Sequence, residues 1–528
     1  MKNKKILFLF TLPLLLSSCN IFDTPSKSSK SSNIDSSSLD SSNEDTSFSS
    51  KQSDSSSKKS SSKEEKSSSS EKSSSSEKSS SSEHKDPSDL PEFPESTDEL
   101  TYENFYNPKT KLRMVFDFTN ESIYNLSQFG LAGGRDLYKQ DIYHPANMKL
   151  FINDTEYDFA EVGLRMKGNT SKTDFVSSSG HFYSRVHFKV SFNQKFDDGF
   201  YTPTTDSTRK DRRFLDAKKF DLKWNRNSDQ TFTKEPYANY IFKQEDMLAQ
   251  NMNLVEVTVN SENDSYTELY QVQETIDKEF LKRNLSKSAA KGDLYKGGWC
   301  NYAGCDLNEF DRVGVEDLKE GITDLRYDLK TNDDTSTHNA LRNCLNLINA
   351  SAKDSGVTVE KQKQNIEKAV DIDYFLKYAA LSWIIGNPDD LRYNSNNCYF
   401  YFNPDEEDKL YIIIRDTDRC FGIKETWDVD MSHIEPTSTW GVSGQCECHL
   451  YWKTCMDLSK SSYPVETTWM NAYKSLCKEY AKKYLNVDYF KAFNDNFVLA
   501  PTKDVNNSYN KNQSFGTYAN IKKGTINY

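Results

Sequence analysis

The 528-residue chain has no surplus of positive charge: 67 Lys and Arg stand against 79 Asp and Glu, a formal net charge of −12 at pH 7. Phosphate backbones are bound by basic surfaces, so nucleic acid is excluded as a partner. Long apolar runs are missing too. The only candidate, Ile6 to Leu16, is too short for a stable membrane span. Glycine and proline are scarce, 20 and 14 residues, beside 31 Phe, 30 Tyr and 7 Trp. That balance suits a mixed α and β globule. No Ser-His-Asp set or glycosidase-like carboxylate motif stands out, which leaves a secreted hydrolase the weakest of the enzymatic readings.

What is present begins with a leader. Lys2, Lys4 and Lys5 precede the short apolar run, which ends in Leu16-Ser17-Ser18-Cys19. Charge, apolar length and small residues at the end predict a signal peptide. Leu-Ser-Ser-Cys resembles the lipobox of bacterial lipoproteins, which implies that Cys19 becomes the lipidated first residue of the mature chain; a plain cleaved signal is the alternative. Residues 20–98 are dominated by Ser, Lys, Glu and Asp, with tandem Glu-Lys-Ser-Ser-Ser-Ser units starting at Glu65, Glu71 and Glu77. Such a segment buries too little to offset its ordering entropy, so it reads as a disordered tether. As a flexible coil of roughly 65 residues it spans about 45 Å. Residues 99–528 form the folded part.

Nine cysteines follow Cys19, at 300, 305, 344, 398, 420, 446, 448, 455 and 477. Beyond a signal peptide, disulfides are the default and the odd count leaves one unpaired; free buried thiols are the other reading. A zinc site from Cys446, Cys448, His449 and Cys455 is a third, weakened because CxCH lacks the usual gap between ligands.

The folded part opens with strand-like runs, Leu112 to Phe118, Met148 to Ile152 and Val162 to Met166. The last leads into Lys167-Gly168-Asn169-Thr170-Ser171, a turn whose N–H and hydroxyl donors can face an anion. Alternation from Arg185 to Phe192 places Arg185, His187, Lys189 and Ser191 on one face and apolar residues on the other, a basic face beside that turn or simply a solvated one. Asp221 to Trp224 predicts a strand, Asn225 to Asp229 a loop, and Lys234 to Leu248 a helix with Pro236 in its first turn. Two paired strands, Leu254 to Val259 and Tyr266 to Val272, end near Glu274. Glu274 either pairs with a basic residue of the earlier strand, as a lysine–glutamate pair does in kinases, or complements a helix start.

The chemistry concentrates between Trp383 and Gly422. Asp389-Asp390 follows an apolar pattern at helical spacing, and Asp416-Thr417-Asp418 closes a strand-like run from Leu410 to Ile414. An acidic loop, an Asn and a second Asp suit phosphoryl transfer: Asp389 is the candidate base, Asn397 and Asp416 the candidate magnesium ligands. Plain turn chemistry after Asn387-Pro388 explains Asp389-Asp390 equally well on spacing alone.

Four stretches together resemble the CotH (spore coat protein H) kinase family: LRMKGNTS with RVHFKVSF, the Asp229 loop and its helix, YQVQETIDKEFL, and GNPDDLRYNSNNCYFYF with IIIRDTDRCFG. The resemblance implies an α+β, two-lobed, protein-kinase-like fold with a strand-rich N-lobe and a helical C-lobe. It also implies use of ATP with Mg²⁺ or Mn²⁺ and phosphorylation of protein Ser or Thr. Carried onto this sequence, it makes Asp389 catalytic, Asn397, Asp416 and Asp418 the metal-binding set with Asp416 favoured, and Glu274 the family glutamate. Lys167, Asn169, Ser171, Arg185 and Lys189 become the candidates for holding the nucleotide. Two positions depart from the family: Arg415 stands where an aromatic residue is usual, and Arg185 where a lysine is, a change that alters donor geometry. There is neither a GxGxxG loop nor a His-Arg-Asp triplet. Those departures keep a second reading open, a catalytically silent surface or adhesion protein with a kinase-like fold. On the first reading the partners are protein substrates at the cell surface, the membrane is met only through the lipid anchor, and the location is the extracellular face of the bacterial cell membrane.

Overall fold

A computed structural model describes residues 90–299, 304–350, 357–438, 448–457, 467–502, 504–509 and 512–526. The leader, Cys19, nearly all of the Ser-rich tether, Cys300 and Cys446 lie outside the described residues. Residues 90–98, grouped by composition with the tether, pack on the fold. Phe93 meets Tyr240 and Phe493 at ring centroids 5.7 and 6.0 Å away, and the Pro91 carbonyl accepts from Asn496 at 3.3 Å.

Alternating side chains close seven strands into a barrel. They are β1 (Leu112–Asp117), β2 (His144–Ile152), β3 (Thr155–Lys167), β4 (His187–Ser191), β5 (Lys219–Trp224), β6 (Met252–Asn260) and β7 (Ser265–Glu274). Their order is β1-β2-β3-β4-β5-β7-β6, and a parallel β1–β6 pairing seals the ring. Met114, Leu164, Phe188, Leu222, Val257 and Val272 share the barrel's buried core. The intervening positions of β3, β4 and β5 are charged: Arg165, Lys167, His187, Lys189, Asp221 and Lys223 lie on the other face because successive side chains in a strand point to opposite sides. A strand-rich region is legible in the sequence. Its closure into a barrel is not, because alternation is the same for an open sheet and a closed one.

Past the barrel, five short strands form a sheet of order β12-β11-β8-β10-β9: β8 (Leu294–Gly297), β9 (Val313–Gly314), β10 (Tyr327–Leu329), β11 (Cys398–Asn403) and β12 (Lys409–Ile414). The second half, expected as a helical lobe with a strand-like run ending at Ile414, thus carries a sheet of its own. The helix Ile372–Ile385 is buried on nearly every side, as an apolar-all-round helix must be, and packs against the helix Thr467–Tyr484. Asp371 caps its start by accepting from the Tyr374 N–H at 2.9 Å. Gly386 ends it in the left-handed conformation, φ 56°, its N–H donating to the Ser382 carbonyl. A Cβ there would lie 2.2 Å from the Tyr518 hydroxyl, so the turn requires glycine on two counts.

Cys305, Cys344, Cys398, Cys420, Cys455 and Cys477 are free and buried, and Cys448 is buried as well. The disulfide expectation therefore fails for those six, which act as small apolar residues. His449 spends its Nδ1 on Asn349 Oδ1 at 2.7 Å rather than on a metal. No described helix is long and apolar enough to cross a membrane.

Candidate functional site

Register builds the site. Cys398 pairs with Ile414 across the β11–β12 hairpin, and the Arg415 N–H donates to the Asn397 carbonyl at 3.0 Å. Asn397 and Asp416 are therefore brought to the same end of one hairpin. Both residues sit in left-handed backbone, φ 49° and 54°, a conformation Asn and Asp tolerate better than most side chains. Asp389 arrives from the end of the buried helix. Its N–H donates to Asn387 Oδ1 at 3.0 Å, and its carboxylate accepts from Asn394 Nδ2 at 2.5 Å and Asn397 Nδ2 at 2.8 Å. Asn397 Nδ2 also reaches the Asp416 carbonyl at 3.4 Å. Three residues far apart in sequence thus meet, as their chemistry requires. With its amide nitrogen committed to Asp389, Asn397 keeps its carbonyl Oδ1 as a hard oxygen ligand.

Phe421-Gly422 locks the second acidic segment. The Phe421 N–H donates to the Ile385 carbonyl at 2.8 Å, and its ring packs on Tyr237, Phe515 and Tyr518. Behind it runs the helix Lys234–Gln244. Asp229 caps its start, Oδ2 accepting from the Lys234 N–H at 2.9 Å, and so fixes the neighbouring Glu235.

Glu235 carries the pair that sequence reasoning missed. Lys223 on β5 places Nζ 3.0 Å from Glu235 Oε1 and 3.2 Å from Asp418 Oδ2, and also forms an ion pair with Asp416. The Thr417 N–H adds a bond to Glu235 Oε1 at 3.1 Å. One strand lysine, one helix glutamate and the acidic segment after β12 thus form one charged cluster. The signal was present in Phe220-Asp221-Leu222-Lys223, whose alternation predicts Lys223 on the same face as Asp221.

Electrostatics follow from this crowding. Burial works against charge on Lys223, yet Asp416, Asp418 and Glu235 raise its pKa well above the usual lysine range. Burial likewise opposes ionisation of Asp416, but Lys223, Arg415 and Lys167 hold its carboxyl well below normal. Glu235 is pushed up to about 7 by burial and by the two aspartates, against the pull of Lys223. Three carboxylates surround one ammonium, and a divalent cation would relieve the excess. Among the described residues no three His, Cys, Asp or Glu are grouped to hold a metal on protein ligands alone. A nucleotide-bound magnesium needs only one or two protein oxygens, since phosphates and water complete its shell; Asp416, Asn397 and Asp418 fit that requirement.

The remaining candidates divide. Lys167 and Lys189 both reach Asp221, at 2.9 and 3.2 Å. The Lys167–Ser171 turn adjoins the site, with Arg226 donating to Thr170 Oγ1 at 3.1 Å and Asn169 exposed. Its Gly168 has φ 111°, and a Cβ there would meet Ser171 Oγ at 1.9 Å. Arg185 lies elsewhere, its guanidinium 3.9 Å from the centre of the Tyr266 ring and 3.7 Å from Glu268. Glu274 is buried against Arg283, at 2.6 Å, and Asn251. The expected pairing of Glu274 with a cation of the basic strand is thus replaced by Lys223–Glu235. Glu274 ends β7 and is claimed by Arg283 of the helix Lys278–Asn284 that follows. A small recess opens where Lys223, Glu235 and Asp418 meet the 225–229 loop.

The family described as CotH kinase protein matches the chain over residues 164–524, a span that holds every residue of this cluster. No curated protein matches it.

Proposed function

The chain belongs to the CotH kinase family, and from that premise we propose that it is an atypical, two-lobed protein kinase transferring the γ-phosphate of ATP to Ser or Thr hydroxyls of surface or secreted proteins. The observation that carries the reading is the convergence of Asp389, Asn397 and Asp416 beside the Lys223–Glu235 pair. Asp389 orients the acceptor hydroxyl and takes its proton. Lys223, held by Glu235, grips the phosphates, while Lys167, Asn169, Ser171 and Lys189 line their approach. Asn397 and Asp416, with Asp418 beside them, would hold Mg²⁺ or Mn²⁺. That ion would neutralise charge on the β- and γ-phosphates.

The silent-protein reading drew on Arg185 and Arg415. With Lys223 supplying the cation of the pair, the Arg185 replacement no longer touches the phosphate site, and Arg415 alone still speaks for that reading. The anchor is Cys19, the membrane is met through its lipid alone, and the location is the extracellular face of the bacterial cell membrane. The test is thermal melting with Mg²⁺ or Mn²⁺ plus ATP, followed by transfer of labelled phosphate to protein. A melting increase abolished by Asp416→Ala supports the reading. No label transfer with Asp389 and Asp416 intact returns the adhesion reading.

A further inference from the structure

Asp389 is engaged by more than its two asparagines, for its Oδ2 also forms an ion pair with Arg419 Nη2. The asparagines orient a carboxylate without changing its charge. A guanidinium adds a full positive charge beside it. Arg419 stands on the same segment as Asp416 and Asp418, its side chain 16% exposed. Its other terminal nitrogen, Nη1, donates to Asp428 Oδ1 at 2.6 Å. Asp428 is itself fixed, Oδ2 accepting from the Glu425 N–H at 2.7 Å. The guanidinium is therefore stretched between a built anchor and the candidate base.

We propose that Arg419 is a catalytic cation of phosphoryl transfer, anchored by Asp428, that holds Asp389 before reaction and turns to the transferring phosphoryl oxygens as Asp389 takes up the acceptor's proton. The proposal rests on the kinase reading. In the step, the acceptor oxygen forms a bond to the γ-phosphorus with its lone pair. The bond from that phosphorus to the β–γ bridging oxygen breaks, and its electron pair leaves on ADP. The hydroxyl proton passes to Asp389 Oδ2. Protonation turns the Asp389 contact from an ion pair into an ordinary hydrogen bond, while the phosphoryl oxygens keep their charge. The guanidinium then finds its stronger partner on phosphorus-bound oxygen. Five donors in one planar fork let Nη1 stay on Asp428 while Nη2 changes partner, which a lysine could not do.

The experiment compares full-length wild type, Arg419→Ala, Arg419→Lys, Asp428→Asn and Asp416→Ala. It measures ATP hydrolysis in Mn²⁺, with water as acceptor, and affinity for a fluorescent ATP analogue. Arg419→Ala is expected to lower kcat by about 10²- to 10³-fold with analogue affinity nearly unchanged. Added guanidinium ion should recover part of that rate, Arg419→Lys should recover less than wild type, and Asp428→Asn should lower kcat without lowering affinity. The proposal is overturned if Arg419→Ala hydrolyses ATP at the wild-type rate while Asp416→Ala does not, or if Arg419→Ala loses analogue binding in step with turnover. Wild type that neither binds the analogue nor turns over ATP overturns the kinase reading itself, and this proposal with it.

Discussion

Replacing Lys223 with Met keeps the length of the side chain and removes its charge, leaving Glu235, Asp416 and Asp418 without their shared cation. The structure says which partner suffers. Asp416 and Asp418 side chains are 36% and 26% exposed and can be rehydrated, whereas the Glu235 side chain is 3% exposed. Exposed pairs contribute little, but a buried charge stripped of its partner costs roughly 3–5 kcal/mol. Lys223→Met is therefore expected to lose about that much at pH 8. At pH 6 the loss should shrink, because Glu235, already pushed up to about 7, takes a proton and stops being an orphan charge. Adding Glu235→Gln to Lys223→Met should restore much of the stability, since no buried carboxylate then remains unpaired. The assay is equilibrium denaturation followed by tryptophan fluorescence at both pH values. The reasoning fails if Lys223→Met costs under about 1 kcal/mol at pH 8, or if the double variant is as unstable as the sum of its parts.

Three further outcomes are expected. Burial pushes the Asp390 carboxyl up to about 7 from its ordinary 3.8, against the Ser382 hydroxyl and Arg392. The unfolded chain releases this proton first, so the associated stability is present below about pH 4 and lost as pH rises towards 7. Asp390→Asn should flatten denaturation midpoints over that range by roughly 4 kcal/mol's worth of pH dependence, and parallel curves would refute the assignment. Gly386→Ala must place its Cβ 2.2 Å from the Tyr518 hydroxyl at φ 56°. It should cost roughly 1–3 kcal/mol, read by thermal melting. Cys19→Ser should move the chain from the membrane to the soluble fraction of a bacterial host and abolish incorporation of labelled fatty acid.

Strands, turns and most helix starts were legible because their signals are local: alternation along β4, Pro236 in a first turn, Asp371 before an apolar helical run. The meeting of Asp389, Asn397 and Asp416 could also be anticipated, since a shared site would require it. The cation–carboxylate pair was misassigned for a physical reason. Lys189 and Lys223 stand on charged strand faces, with Arg185 just before β4, and Glu235 and Glu274 both begin or precede helices. Which lysine faces which glutamate depends on the order in which strands join. In the barrel β5 lies between β4 and β7, and that placement gives Lys223 to Glu235 and leaves Glu274 to Arg283.

By itself the sequence determined the period of each strand and the chemical type of the residues that gather after β12, all properties of neighbouring residues. Tertiary structure alone decided that the strands close, that six of the described cysteines stay free and buried, and that Arg419 and Lys223 reach acids far from them in the chain. Register and closure sum many weak, distant contacts, and no local window of sequence contains that sum.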